Sequence, residues 1–456
     1  MTGQEDILLA KIREGGALTG LQQVKLALFL SYPAILAQLS SVLMQYIDSA
    51  MVGHLGAAAG ASIGLVSTCL WMFGGFSMAV TSGFSVQVAH RIGANDFKGA
   101  RDVLRQGLAF AMVFSVCMAV LGMSISGALP HWLGGGEDIV GDSGKYFFIM
   151  SAFMPAMQLD WMCAYFLQAS GNMKVPSLLA IGMCVLDVVF NYVFIYGLDM
   201  GVTGAAIGSG LAELITGIAM FSFLAFGSKE LKFVHERGSF RPTREVMKRA
   251  WGISGPMAFQ NILMRGGYIA ATVIVAPLGT VAIAANSFAI TAESLCYMPG
   301  YGIADASTTL VGQSIGAGRR PLAKRFAWIT TFLGMGVMGV LAVLMFIFAP
   351  GMIGLMSPDA DVIALGGRVL RIEAFAEIGY AASIVAYGAC VGAGDTKWPS
   401  WMNLGSMWIV RIIPAIFMTM RFGLVGFWIC MAVELTFRGV IFIVRLARGK
   451  WIDKTL

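Results

Sequence analysis

The chain has 456 residues, 57% of them hydrophobic and only 12% charged, with mean hydropathy +0.77 and a formal net charge of +6. A soluble domain carries about 25% charged residues, so this composition excludes an ordinary water-soluble enzyme and points to a polytopic membrane protein. The excess positive charge does not read as a nucleic-acid surface, because the basic residues lie in short segments between apolar runs.

In chain order, the first 23 residues carry Glu5, Asp6, Lys11, Arg13 and Glu14 and have no apolar core, so they are no signal peptide. They read as a short cytoplasmic helix or tail. Runs long enough to cross roughly 30 Å of hydrocarbon as helix follow near 26–52, 61–89, 106–130, 146–169, 176–198 and 202–227. A second set lies near 251–276, 282–312, 326–350, 368–391, 400–420 and 423–444. None shows the ten-residue alternation of a membrane β-barrel. The fold class is therefore an all-α polytopic membrane protein with twelve transmembrane helices. With an even number of spans and a cytoplasmic N terminus, 24 of the 31 Lys and Arg residues fall on the inner side, whereas the outer loops include the acidic GEDIVGD at 136–142. This is the positive-inside pattern, and it places both termini in the cytoplasm.

The second set of spans repeats the first. GNMKVPS at 171–177 and GDTKWPS at 394–400 are 223 residues apart. The same offset aligns Pro33 with Pro256, Leu55–Gly56 with Leu278–Gly279, and Ile92-Gly93-Ala94 with Ile315-Gly316-Ala317. Gly201 and Gly204 meet Gly423 and Gly426 at 222. Six spans per repeat is an even number, so the two six-helix lobes are parallel and related by a pseudo-twofold axis along the membrane normal. The expected division is a cytoplasmic segment (1–24), an N-terminal lobe (25–228), a basic cytoplasmic linker (229–249), a C-terminal lobe (250–445) and a cytoplasmic tail (446–456). Alternating access by rocking of two lobes is the natural mechanism for such a chain.

Intramembrane charges mark function, because a bilayer tolerates them only in cavities or in pairs. Asp48 in QYIDSAMVGHLG lies roughly 13 Å beyond the middle of the first span at helical rise, inside the hydrocarbon but near its edge. Its repeat partner is Ala271, so only one lobe carries it. Asp187 and Asn191 are four apart and share a helix face, and Ser209 on the following span completes a set suited to a proton or a sodium ion. A polar packing cluster is the structural alternative. Pro33 removes a hydrogen bond inside the same span as Asp48 and marks a candidate hinge. The second half supplies Arg265, Glu293, Glu373, Glu377 and Arg411, read as a substrate-facing or coupling network; Glu373 and Glu377, four apart, are expected on one face. Asp160, Glu213 and Glu434 read as architectural. The seven cysteines form no CxxC pair and the four histidines have no ligand spacing, so neither cofactor nor metal is implied.

QYIDSAMVGHLG, QVAHRIGAND (87–96), LQASGNMKVPS (167–177), AITAESLCYMPGYGIADASTTLVGQSIGAG (289–318) and YGACVGAGDTKWPS (387–400) together resemble the multidrug and toxic compound extrusion (MATE) family. The resemblance covers roughly residues 20–445. It implies a two-lobed secondary antiporter of a bacterial or archaeal inner membrane, monomeric, with no enzymatic activity and no nucleic-acid partner. Its partners would be membrane lipids and organic cations or amphipathic drugs, exchanged for protons or sodium. The family's first-span acid falls on Asp48. The DNA-damage-inducible and archaeal-like branch has Asn followed four residues later by Asp in span 5, whereas this chain has Asp187 then Asn191; Ser209 stands near that branch's span 6 threonine. The sodium-coupled bacterial branch uses a glutamate and an aspartate whose nearest positions here are Met264 and Tyr380, with Glu377 one turn before the latter. The resemblance thus favours the first branch and proton coupling, with sodium-coupled efflux or a lipid-linked precursor flippase as the alternatives.

Overall fold

The computed structural model describes residues 4–453 except 235 and 237, so Arg237 and Lys454, counted above among the basic residues, lie outside the described residues. The first half runs α1 (Gln4–Arg13), α2 (Gly20–Gly53), α3 (Ala57–Gly93), α4 (Phe97–Ile125), α5 (Leu129–Trp132), α6 (Glu137–Ala152), α7 (Met154–Ala169), α8 (Lys174–Asn191) and α9 (Gly201–Ser222). The second runs α10 (Arg244–Val275), α11 (Thr280–Gly316), α12 (Arg320–Gly354), α13 (Ala360–Ala374), α14 (Glu377–Gly392), α15 (Lys397–Gly405) and α16 (Ile413–Arg448). Among the described residues nine helical stretches are long and apolar enough to cross a membrane. Two of the expected spans are bent pairs, α6 with α7 at 45° and α13 with α14 at 57°. The stretch Lys397–Arg448 holds two spans, because Gly423 (φ 59°) breaks it. Counted this way, the fold has the twelve spans that the hydropathy pattern implies. GEDIVGD, expected as a loop, instead enters α6, whose first turn carries Glu137 and Asp138 where the helix dipole favours carboxylates.

The repeat is visible in the backbone. Gly56 (φ 110°) and Gly279 (φ 91°) open α3 and α11, each 37 residues long. Gly171 (φ 94°) and Gly394 (φ 79°) close α7 and α14, and Gly201 (φ 55°) and Gly423 (φ 59°) start the last span of each half. Each pair sits at the sequence offset of 223 or 222 and adopts a left-handed conformation that costs glycine least. Each half also has a wide π-turn in its fifth span, at Tyr192–Gly197 and Ser406–Ile412.

The chain packs into two units. One holds the residues up to Leu39 with Phe259–Leu456, the other Ser40–Ala258, so α2 and α10 are each divided between them. In the Ser40–Ala258 unit, Phe84, Leu104, Met162, Phe166 and Leu224 are fully buried in one core; in the other, Ala285, Ala289, Met345, Val369 and Trp428 are. Helices approach closely where a side chain is missing. A Cβ on Gly439 would lie 2.3 Å from the Gly379 carbonyl oxygen, and one on Gly302 would lie 2.7 Å from the Ile35 nitrogen. Small residues allow this dense helix pairing in lipid, where no hydrophobic drive acts between spans.

Candidate ion-coupling and substrate site

In the Ser40–Ala258 unit, α2 and α8 bring Asp48, Asp187 and Asn191 together. Asn191 Nδ2 donates to Asp48 Oδ1 at 3.0 Å and to Asp187 Oδ2 at 3.1 Å. Asp48 is half-buried, whereas Asp187 and Asn191 are both buried. The carboxyls of Asp48 and Asp187 lie within hydrogen-bonding reach of each other, and an O–H on one of them would be the donor such a contact needs. The i, i+4 spacing on α8 aims both polar groups at α2.

Glycine shapes the third wall. A Cβ on Gly208 of α9 would lie 2.2 Å from Asn191 Oδ1 and 3.0 Å from its backbone nitrogen, so α9 meets α8 at this point. Ser209, the next residue, is half-buried and makes no hydrogen bond to the trio. Beyond Asn191 the chain widens into the π-turn Tyr192–Gly197, a feature frequent at functional sites. Tyr196 within it donates to the Met51 carbonyl at 2.6 Å, tying the turn to α2 one helical turn past Asp48. Tyr146 of α6 lies within electrostatic reach of Asp48 and Asp187. Neither tyrosine stands out in the sequence, because each sits among ordinary span aromatics. Asp160 is buried and Glu213 half-buried in the same unit, and each has one oxygen without a hydrogen bond. α2 runs as one helix through Pro33, which belongs to the other unit.

That other unit carries the second polar set. Glu293 on α11, Glu373 on α13, Glu377 on α14 and Arg411 are all buried. Glu373 and Glu377 do not share a helix face: the chain breaks between them, with Ala376 N bonded to Glu373 O at 2.7 Å in a tight turn, and α14 sets off at 57°. Neither oxygen of Glu373 has a hydrogen-bond partner, and Cys296 lies beside Glu377. Arg411 sits in the π-turn of the fifth span of this half, over the Phe427 ring at 5.7 Å, with its guanidinium against the sulfurs of Met407 and Met431. Arg265 lies 6.0 Å over the Tyr268 ring. Tyr380 packs against Tyr297 (5.7 Å), which packs against Tyr301 (6.0 Å). Glu434, in contrast, is paired through one oxygen, Oε1, with Arg438 (2.6 Å) and the Ser406 hydroxyl, while its Oε2 is buried without a hydrogen bond, and Asp395 of the GDTK motif is paired with Arg445. Asp305 of α11, unremarked in the sequence, is hydrogen-bonded to Gln38 of α2.

No group of three or more His, Cys, Asp or Glu side chains that could hold a metal ion occurs among the described residues.

Twelve spans in two repeated halves, each with charged and polar groups within its spans, define a multi-pass membrane transporter. The chain belongs to the MatE family, whose model matches residues 33–193 and 256–417, two segments whose starts are again 223 apart. It is therefore not an enzyme. Among curated relatives it is 26% identical over 439 residues to a probable multidrug resistance protein NorM of Thermotoga maritima, covering 94% of this chain and 92% of the relative. It is also 26% identical over 441 residues to the protein of that name from Mannheimia succiniciproducens, covering 93% of each. Among solved structures, the bent form of the Vibrio cholerae MATE transporter VcmN superposes with TM-score 0.86 at 17% identity, over 94% of this chain and 97% of that one.

Proposed function

We propose that this chain is a secondary active antiporter that exports cationic or amphipathic organic compounds in exchange for protons, with Asp48 and Asp187 as the coupling carboxyls. The observation that carries the reading is the hydrogen-bonded trio of Asp48, Asp187 and Asn191. Two carboxyls in contact share one proton comfortably and two negative charges poorly, so the trio changes charge by taking up or releasing a proton. The names of the NorM relatives support multidrug efflux, and the basic segments support cytoplasmic termini in a bacterial or archaeal inner membrane.

Coupling requires that substrate and proton favour different conformations. A cationic substrate is held while the trio is ionised; protonation from outside removes the charge that held it and favours its release. Each proton moving inward down 100 mV contributes roughly 2.3 kcal/mol. Pro33 supplies a point at which α2 bends during this cycle. The order Asp187 then Asn191 leaves the polar inventory of the DNA-damage-inducible and archaeal-like branch intact with the carboxyl moved one turn, which supports placing this chain nearer to that branch. Glu293, Glu373, Glu377, Tyr380, Arg265 and Arg411 form a second network that shapes substrate choice, and Ser209 adds a hydroxyl beside the first.

The test is efflux of a fluorescent organic cation from proteoliposomes under separately imposed pH and sodium gradients. Wild type responds to the pH gradient, and Asp48→Asn does not. A response to sodium alone assigns sodium coupling, and undiminished pH-driven efflux by Asp48→Asn removes Asp48 from the role.

A further inference from the structure

The basic run at the start of α12 divides its labour unequally. Arg319 is committed to the carbonyls of Lys11 and Ile12 at 3.0 and 3.4 Å, tying α1 to this end of the unit. Arg320 is paired with Asp453 at 3.2 Å. Lys324 and Arg325 have no hydrogen bond, ion pair or ring contact among the described residues, although both are exposed. They line an open groove of about 700 Å³ between the start of α2 and α12.

The groove changes character along its length. At its charged end stand Lys324 and Arg325, with Gln23 of α2 opposite. One turn further along α12 comes Trp328, stacked on Phe332 with ring centroids 5.5 Å apart. The Trp328 indole N–H donates to nothing among the described residues. Ile329 continues the apolar floor, and among the described residues no acidic side chain lines the groove. Positions 321, 324, 325, 328 and 332 recur at three and four residues, so one face of α12 carries the change from cation to aromatic. The charged end coincides with the start of an apolar helix of 35 residues, which puts it at the membrane–water boundary.

The other half of the repeat shows what this position demands. At the offset of 223, Lys324 and Trp328 correspond to Arg101 and Arg105. Arg101 donates to the Glu230 carbonyl at 3.0 Å and pairs with Glu236 at 2.8 Å. Arg105 donates to the carbonyls of Phe233 and Glu236. There the acceptor oxygens come from the segment joining the two halves of the chain. In the Phe259–Leu456 unit the donors are present without such oxygens among the described residues.

We propose that this groove is a binding site for an anionic phospholipid. The lipid phosphate accepts from Lys324, Arg325 and the Trp328 indole, and an acyl chain lies along Trp328, Ile329 and Phe332. A basic groove at the mouth of two spans has the charge for such a headgroup, and indole at the headgroup level is favoured in any bilayer. The inference rests on the membrane-spanning fold and is independent of the coupling ion and the transported substrate.

Native mass spectrometry of the full-length protein, delipidated and titrated in parallel with phosphatidylglycerol, phosphatidylcholine and sn-glycerol 3-phosphate, tests it. Wild type is expected to bind one phosphatidylglycerol with roughly tenfold or greater preference over phosphatidylcholine, as two cations near a membrane surface allow. The double variant Lys324→Gln/Arg325→Gln should lose that preference while keeping its melting temperature in phosphatidylcholine. Lys450→Gln, an exposed charge outside the groove, should keep it. Equal phosphatidylglycerol binding by the double variant overturns the proposal. So does an equal loss in Lys450→Gln, which would assign the effect to general surface charge. Binding of sn-glycerol 3-phosphate as tight as that of the lipid would make this a soluble-phosphate site and overturn it as well. Trp328→Leu provides a second, uncharged probe: it removes the indole donor and keeps apolar bulk, and a several-fold weakening restricted to phosphatidylglycerol is expected. Unchanged phosphatidylglycerol binding in Trp328→Leu overturns the placement of the phosphate against the indole.

Discussion

Asn191 on α8 donates its side-chain amide to Asp48 on α2, at 3.0 Å and across 143 positions of sequence. The same nitrogen reaches Asp187 one turn earlier, at 3.1 Å. One amide thus holds two carboxyls in register, and the carboxyl and amide of α8 are alternatives for the same two positions on one helix face. The double variant Asp187→Asn/Asn191→Asp exchanges them without changing volume or inventory. It is expected to retain at least a third of wild-type pH-driven efflux, whereas Asp187→Asn alone should fall by tenfold or more. A swap as inactive as the single variant, with normal membrane insertion, would show that the carboxyl's position on the helix is fixed rather than its presence in the trio. Gly208 bounds the same experiment. Its missing Cβ leaves room for Asn191 Oδ1, and Gly208→Val should cost about 1–3 kcal/mol from overpacking and slow efflux by all the swapped forms alike.

Within the Ser40–Ala258 unit, the segment after α9 is held to α4 by Arg101, Arg105 and Gln106, and Arg105 is the more buried of the two cations. Arg105 has a side chain only 2% exposed, pairs with Asp102 at 2.9 Å, and donates to Phe233 and Glu236 carbonyls at 3.1 and 3.0 Å. Arg105→Ala leaves two carbonyls and a carboxylate without their donor, at about 1–3 kcal/mol for each buried acceptor stranded. The expected result is a lower melting temperature and faster protease cleavage within residues 229–243. Arg105→Lys should recover less than half of the loss, since a single ammonium cannot reproduce the fork that serves three acceptors. Unchanged cleavage in Arg105→Ala would mean that this segment is held by other contacts.

Much of this architecture was legible in the sequence, and the reasons are physical. Spans announce themselves because lipid forbids unsatisfied backbone, so apolar length alone marks a helix. The repeat was visible at Gly56 and Gly279 or Gly171 and Gly394 because left-handed turns restrict residue choice there. The cost of carboxyls in hydrocarbon marked Asp48 and Asp187 as candidates, and the four-residue spacing put Asp187 and Asn191 on one face; that Asn191 bridges both carboxyls and that Ser209 stays apart is visible only in the structure. The bend between Glu373 and Glu377 was not legible, since EAFAE contains neither Gly nor Pro and its four-residue spacing fits an unbroken helix equally well. Tyr196 and Tyr146 were hidden for another reason. Their importance lies in which carbonyl or carboxyl stands opposite, and hydropathy carries no information about that.

Asp96, in the turn between α3 and α4, gives a stability effect with a definite pH sign. Its carboxylate accepts from the Gly99 N–H at 2.9 Å and from Arg91 Nη1 at 2.6 Å. The Gly99 hydrogen bond, with Arg91 beside it, holds the carboxyl below its ordinary value of 3.8. A group depressed in the folded state stabilises above its unfolded value and loses that contribution as pH falls through its folded value. The difference in melting temperature between wild type and Asp96→Asn should therefore be constant above about pH 5 and shrink below about pH 4. Asp96 is nearly half exposed, so solvent screening limits the ion-pair part to at most about 1 kcal/mol. Thermal melts in detergent from pH 3 to pH 7 measure it, and a difference that grows on acidification would contradict the assigned sign.

Glu434 and Arg438 test whether a buried ion pair serves stability or geometry. They are one turn apart on α16, joined at 2.6 Å, with side chains 0% and 8% exposed, and Ser406 of the fifth span of this half donates to the same carboxylate oxygen. Two charges lose hydration on burial, and their attraction offsets that loss only when both are present. Glu434→Gln strands Arg438 and should destabilise the protein by about 3–5 kcal/mol. The double variant Glu434→Leu/Arg438→Met removes both charges while approximately preserving volume, and should recover most of the melting temperature. If the pair also positions the π-turn that carries Arg411, through Ser406, transport will not recover with stability. The measurement is therefore paired: melting temperature and efflux on the same three proteins. Recovery of both would make the pair a replaceable strut; recovery of stability alone would show that Glu434 and Arg438 hold Arg411 in its working position.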